Sequence, residues 1–418
     1  MPKIRSVQDL AAFQKKQLKQ FANKTLQKSV FYSRYFKHKI FDWVSVPQIT
    51  KKVFMESFNE INTKGIKLEE AMEVALQAEK SRNFKSEING ITVGLSTGTD
   101  GKRGLFLVSE DERALWVALV MTRVIKPKIF QKQKVAFFLR ANSNLYTSVS
   151  SGLFDFKYFD IFKPLTELLT ELNIYQPHIL ASQPSLLMDI ALAQKNKQIN
   201  IAPIQIISFA EVLNENDKTT IRKTFSATFN VAITEVYQCT EGFLGVSCPY
   251  GTMHLNEDFV HFDKEWIDED KFYPIITDFS RSSQPVVKYK LNDILQIKAE
   301  QCACGSKLLA IEKIIGREDD VLLLQNIKIY PDLIARKIAL HTDDFQKYTL
   351  EQTNQNTLNI GIDCRTDDFE MLQKLFKTVL NELFASFGVE NINYNFKNKT
   401  SIIVGNKNRK IKRINYEI

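Results

Sequence analysis

Apolar positions recur along this chain at two periods, and the change of period divides it. The stretch "KPLTELLTELNIYQP" carries leucines at 165, 168, 169 and 172, a helical stripe that stops before Pro177. Short continuous apolar runs lie on either side of it: "KVAFFL" (Lys134–Leu139), "IQIISF" (Ile204–Phe209) and "AITEVY" (Ala232–Tyr237). Each has the length of a buried strand and polar residues behind it. Strand and helix tracts alternate from about Gly90 to Tyr237, which predicts a mixed α/β core around a largely parallel sheet. The preceding eighty or so residues read as helices with lysine-rich outer faces.

The pattern shifts after Tyr250. "HLNEDFVHFDKEWI", "FYPIITDF" and "PVVKYKLNDILQIKAE" are β-rich segments without long helices between them, as in a β-barrel-like subdomain over about 250–315. The last hundred residues read as a small α+β unit. "DVLLLQNIKIYPDLIARKIAL" predicts two strands and a helix, and a second helix shows apolar residues at 371, 372, 375, 376, 379, 380, 383, 384 and 387. "GREDD" (Gly316–Asp320) stands at its entrance, giving expected domains of 1–316 and 317–418.

Composition narrows the class. A chain of 418 residues with 44% hydrophobic and 25% charged residues supports a globular protein of two or more domains. The N-terminal stretch lacks the apolar core of a signal peptide and no apolar run approaches a membrane span, so a cytoplasmic chain with no membrane partner is expected. The formal charge of +8 is spread along the chain, and no nucleic-acid-binding signature accompanies it.

Glycine usage is the sharpest local signal. Of 15 glycines, four fall between Gly94 and Gly104, in "GLSTGTDGKRG". Gly98, Gly101 and Gly104 permit close approach of backbone amides, Ser96, Thr97 and Thr99 supply hydroxyls, and Lys102 and Arg103 supply charge. The apolar run that follows reads as a helix aiming more amides at the same place. A phosphate suits that loop; a surface turn is the plainer alternative. Neither the Walker A spacing nor the dinucleotide-binding spacing is met.

The order of motifs supplies an identity. "STGTDGKRG" resembles the phosphate loop of the ANL adenylate-forming superfamily, and "FAEVL" (Phe209–Leu213) its adenine-side segment. "VYQCTEG" (Val236–Gly242) resembles its Tyr-Gly-x-Thr-Glu motif, and "YKLNDIL" (Tyr289–Leu295) its Tyr-x-x-Gly-Asp motif. "GREDD" resembles its hinge, and "NRKIKRI" its final lysine motif. Within the superfamily the match is to phenylacetate–CoA ligases and coenzyme-F synthetase-related proteins. Asp100, Arg103, Asn292 and Arg409 depart from the usual residues.

This resemblance implies a large N-terminal α/β domain and a small mobile α+β domain. It implies attack of a carboxylate on the α-phosphorus of ATP, giving an acyl-adenylate and pyrophosphate, then thioester formation with CoA or an acyl carrier protein. Adenylyl transfer to a cofactor and non-catalytic nucleotide binding are the alternatives. Ser96, Thr97, Gly98, Thr99, Gly101 and Lys102 would cradle phosphates. Thr240 and Glu241 would serve the α-phosphate and Mg²⁺. Tyr237, Ala210 and Glu211 would surround the adenine, and Asp293 and Arg317 would serve the ribose. Lys410 would bridge carboxylate and phosphate, and Asp319 would be the pivot. Asn142, Asn144, Tyr146, Phe243 and Leu244 are candidate walls for the acid.

Five cysteines are present, and three of them fall near one histidine. Cys248, His254, Cys302 and Cys304 bracket the β-rich segment as a Cys₃His set, which suits either structural Zn²⁺ or four buried side chains.

Overall fold

The computed structural model describes residues 4–81, 86–95, 104–125, 132–139, 154–226, 231–342, 344–345 and 347–398. Two compact units result, 1–291 with 297–313, and 292–296 with 314–418.

The first unit is organised by one sheet. Gln133–Leu139 pairs in parallel with Phe154–Asp160 and with Ile179–Ser182, which pairs in parallel with Gln205–Phe209, and that strand with Ala232–Cys239. The apolar runs are therefore interior strands of the sheet, and Lys134–Leu139 and Ile204–Phe209 are the more buried of the three. Leu165–Tyr175, Pro184–Lys195 and Glu215–Phe225 cover one face, with Leu168, Leu172, Leu187, Ile190 and Ile221 in the shared core. Trp116, Leu119 and Val120 of the helix Glu110–Arg123 pack on the other face against Val135, Ile179 and Ile207. Local chemistry sets the helix limits: proline opens Pro184–Lys195, and Gln176 ends the 165–175 helix in the left-handed region, one residue before Pro177.

The β-rich region does not start at a break in this sheet. Gly242–Ser247 turns back antiparallel on Ala232–Cys239, Met253–Leu255 pairs antiparallel with it, and residues 310–311 pair with Met253 and His254. A hairpin of Val260–Trp266 and Lys271–Asp278, joined by Val286–Lys290, completes the region.

One expectation is overturned. The apolar run after the glycine-rich segment is a strand, Leu105–Val108, not a helix, and it pairs antiparallel with Ile91–Leu95. Residues 96–103 thus connect two strands, and they lie outside the described residues. The next helix starts only at Glu110, where Ser109 and Glu112 form a reciprocal capping box that takes up the Ser109 and Glu112 amides. β-Branched and leucine-rich residues facing a cross-strand partner outweigh the weak helical period of this short run.

The second unit has its own core. Leu350, Leu358, Ile360 and Ile362 of an antiparallel pair pack on Leu372, Phe376, Val379 and Leu380 of Phe369–Ala385, while Asn393–Asn398 adds a parallel strand. Among the described residues no helix is long and apolar enough to cross a membrane.

Gly94 sits opposite Phe106 in the strand pair before and after the glycine-rich segment. A Cβ there would lie 2.0 Å from the Phe106 ring, so the ring occupies the place of a side chain. Gly94→Ala is expected to destabilise the first unit by about 1–3 kcal/mol through overpacking. Thermal unfolding checks this; an unchanged midpoint would mean that the ring moves aside freely.

Candidate functional site

The Thr240–Glu241 pair forms the two-residue turn of the hairpin between Ala232–Cys239 and Gly242–Ser247, with Cys239 opposite Gly242. This turn projects both side chains from the end of the parallel sheet, where open α/β sheets bind ligands. The Tyr289 hydroxyl donates to Glu241 Oε1 at 2.7 Å and so fixes the carboxylate. Tyr289 is itself buried, edge-on to Phe54 at 5.3 Å. Ile49 bridges to Tyr289, which brings the helix Lys51–Glu56 to the same place.

These elements line a small cleft that opens to solvent. Its polar lining consists of Thr240, Glu241, Lys51, Arg281 and Gln284, and its apolar lining includes Phe54, Met55, Leu105 and Val286. Gly104, the last residue of the glycine-rich segment, also borders it. Two cations and one carboxylate on the lining favour an anionic guest.

The segment Phe279–Pro285 closes one side and is held by a buried acid. Glu112 Oε2 accepts from the Ser109 amide at 2.6 Å and hydroxyl at 2.7 Å. Its Oε1 accepts from the amides of Ser282 at 2.6 Å and Ser283 at 2.9 Å. Burial pushes the Glu112 carboxyl up, but the Arg281 guanidinium and the serine donors outweigh it, and the net shift is downward. Gln284 adds two bonds to the Leu105–Val108 strand, accepting from Leu107 N at 3.0 Å and donating to Leu105 O at 3.4 Å.

A second buried acid lies beneath the turn. Asp278 Oδ1 accepts from the Ser280 hydroxyl at 2.5 Å and amide at 2.8 Å. A Cβ at Gly242 would stand 3.1 Å from Asp278 Oδ2, so the glycine leaves that oxygen room. Burial pushes the Asp278 carboxyl up to about 6, against the pull of Ser280 and Arg281. Arg281, Glu112, Asp278, Gln284 and the role of Tyr289 escaped the sequence reading, because their partners are up to 179 residues distant.

The other expected residues take these positions. Tyr237 is buried, in the strand that leads to the turn. Ala210 follows the Gln205–Phe209 strand at φ +68°, an uncommon conformation for alanine. Glu211 accepts from Ser185 N at 3.2 Å and Ser185 Oγ at 3.3 Å. In the second unit Arg317 Nε lies 3.6 Å from Asp293 Oδ1. Phe243 and Leu244 are core residues, 3% and 0% exposed, so as acid-pocket walls they present no open surface. Ser96–Lys102, Asn142, Asn144, Tyr146 and Lys410 lie outside the described residues, as does the Asp319 side chain.

The cysteines and histidine singled out by spacing do meet. One ligand atom from each of Cys248, His254, Cys302 and Cys304 lies within 4.8 Å of all the others. Cys248 Sγ and Cys302 Sγ are 3.6 Å apart, and Cys304 Sγ is 3.3 Å from His254 Nε2. His254 Nδ1 is 3.0 Å from Leu308 O, which fits an Nδ1–H donor and leaves Nε2 facing the sulfurs. A hydrogen bond from the Thr252 hydroxyl pulls the Cys302 thiol down to about 6.

No family model matches the chain. It is 22% identical to protein CapK of Staphylococcus aureus over 97% of its own length and 90% of that protein's. It is 24% identical to a phenylacetate–coenzyme A ligase of Thermus thermophilus over 200 residues, 44% of each chain. Among solved structures it is similar to 2-hydroxyisobutyryl-CoA ligase, in complex with 2-HIB-AMP in the postadenylation state, at a TM-score of 0.71 and 14% identity. That match covers 100% of this chain and 91% of the other. The fold is that of the ANL adenylate-forming ligases, and the likeness to phenylacetate–CoA ligases read from the motifs is borne out.

Asp278 makes stability depend on pH in a defined direction. Its folded value of about 6 exceeds the ordinary 3.8, so between these limits the folded state binds more protons and stability falls as pH rises. Asp278→Asn is expected to remove this fall and to raise stability at pH 7 by about 1–3 kcal/mol. Urea unfolding of both proteins at pH 4.5 and pH 7 checks the sign; a variant less stable at pH 7 would refute it.

Proposed function

We propose that the protein activates a carboxylic acid with ATP, forming an acyl-adenylate and pyrophosphate, and passes the acyl group to CoA or a carrier protein as a thioester. The observation that carries this reading is the Thr240–Glu241 turn, fixed by Tyr289 at the mouth of a cation-lined cleft. The turn stands on a fold that spans 91% of a ligase described in complex with an acyl-AMP. Complexes of that ligase with CoA as well support the second half of the reading.

In this mechanism the protein's work is alignment and charge neutralisation. Thr97, Gly98, Thr99 and Lys102 cradle the β- and γ-phosphates, with Ser96 and Gly101 shaping the loop. Thr240 donates to the α-phosphate. Glu241 would hold Mg²⁺, an ion commonly bound by one or two carboxylates together with substrate phosphates, and the ion would supply charge neutralisation there. Tyr237, Ala210 and Glu211 flank the adenine. Asp293 accepts from the ribose hydroxyls, and Arg317, its ion-pair neighbour, donates beside it. Lys410 bridges the incoming carboxylate and the α-phosphate, and the domain 317–418 turns about Asp319 to withdraw it before thioester formation. The protein acts in the cytoplasm.

The Cys₃His set is the second proposal, a structural Zn²⁺ site. Tetrahedral zinc with bonds of about 2.1–2.3 Å separates its donors by about 3.4–3.8 Å. Two of the donor separations here, 3.3 and 3.6 Å, lie close to that spacing. Four protein donors leave no position for a substrate, so the metal would pin Cys248–His254 to Cys302–Cys304.

Pyrophosphate release against pooled carboxylic acids is the primary test, with Lys410→Ala expected to lose at least about a hundredfold in adenylation. Its ATP affinity should stay near that of the wild type. No release with any acid, or full turnover in the variant, would overturn the reading or that role. Elemental analysis should find one zinc per chain, absent after Cys302→Ser with Cys304→Ser, together with a lower unfolding temperature. Protein purified without zinc and equally stable would refute the metal site.

A further inference from the structure

Arg281 is a cation whose position is fixed by groups that do not consume its charge. Its segment is tied down on both sides: the Ser282 and Ser283 amides donate to Glu112, and Thr63 donates through Oγ1 to Ser282 O at 2.7 Å and through its amide to Ser283 O at 2.9 Å. The guanidinium sits between the fields of two buried carboxylates, Glu112 and Asp278. Both are occupied elsewhere. Glu112 has four donors from serines, and Asp278 Oδ1 has two from Ser280. Among the described residues the one side-chain hydrogen bond from Arg281 goes to a neutral acceptor, Leu107 O, at 3.4 Å. Its Nε is buried without a partner. A buried guanidinium nitrogen left unsatisfied is costly, and such sites call for an acceptor supplied from outside.

The cleft supplies the place for one. Arg281 lines it together with Thr240 and Glu241, and Gly104 borders the same space. We propose that Arg281 contacts the ligand directly, its guanidinium holding the pyrophosphate end of a nucleoside triphosphate and the pyrophosphate that leaves. This inference rests on the adenylation reading and adds to it a residue that the motifs do not contain. A planar, permanently charged fork suits two phosphate oxygens better than an ammonium does, and its fixed position means that little reorganisation accompanies binding. The two carboxylates behind it act as a counter-field that keeps the cation in place while leaving its donors to the ligand.

The experiment is a calorimetric titration of magnesium pyrophosphate, and separately of AMP, into the full-length wild type, Arg281→Lys and Arg281→Gln. AMP shares the nucleoside and α-phosphate but lacks the pyrophosphate group. Arg281→Gln is expected to weaken pyrophosphate binding by about ten- to a hundredfold, the usual worth of a charge-assisted bond, and to leave AMP within about twofold. Arg281→Lys should fall between, because it keeps charge but loses the fork. Unchanged pyrophosphate affinity in Arg281→Gln, or equal loss of both ligands, would overturn the proposal; equal loss would mark Arg281 as a structural residue. Wild type that binds pyrophosphate but not AMP would sink the adenylate reading, while the pyrophosphate series would still decide on Arg281.

Discussion

A single carboxylate fixes the relation between three segments that the chain keeps far apart. Glu112 completes the capping box of the helix Glu110–Arg123, and its other oxygen takes the Ser282 and Ser283 amides, 170 and 171 residues away. One end of that helix is thus locked to the segment bearing Arg281, and through Gln284 that segment is locked to the strand after the glycine-rich stretch. An isolated ion at this depth would be neutralised or expelled. Four donors, one of them a hydroxyl and three backbone amides, satisfy it instead, and the neighbouring guanidinium lowers its affinity for a proton further. The cleft's geometry follows from this one group more than from any pocket residue.

Much of the fold was legible because it rests on local patterns. Continuous apolar runs at 134–139, 204–209 and 232–237 became interior parallel strands, and the leucine stripe from 165 became the helix that covers them. The run 105–108 misled because four apolar residues carry too little period to distinguish helix from strand. Its true state depends on Phe106 lying across Gly94 and on Gln284 reaching in from the far end of the domain. The β-rich region read from about 250 continues the main sheet without a break. Within that sheet antiparallel pairing begins at Gly242, inside a motif that reads as ligand chemistry rather than as a hairpin.

The site divides in the same way. Thr240 and Glu241 stand out as a motif, and the Cys₃His set stands out by spacing, because the residue types themselves announce chemistry. Arg281, Asp278 and Glu112 carry no such announcement. A serine-rich loop with one arginine looks like any exposed turn, and an Asp at the end of a strand looks like a hairpin acid. What distinguishes them is burial and company, which only the tertiary structure provides. Phe243 shows the converse error. It sits next to the motif, yet the core against Phe259 claims its ring.

The energetic logic of the cleft follows from the second buried acid. Keeping Asp278 ionised at pH 7 costs about 3 kcal/mol relative to the unfolded chain, given a folded value near 6. A protein selected for stability alone would place an asparagine or an apolar residue there. That cost already includes the attraction to Arg281, and what the carboxylate provides is the placing of its neighbour's charge. Together with Glu112 it holds a half-buried guanidinium that makes no ion pair among the described residues, so Arg281 retains donors that a salt bridge would occupy. A bare cation in the cleft would be mobile or would pull solvent in, and a fully paired one would have little left for an anion. Two acids, each satisfied by serine donors and set one step back, hold the charge where an anionic ligand meets it already oriented.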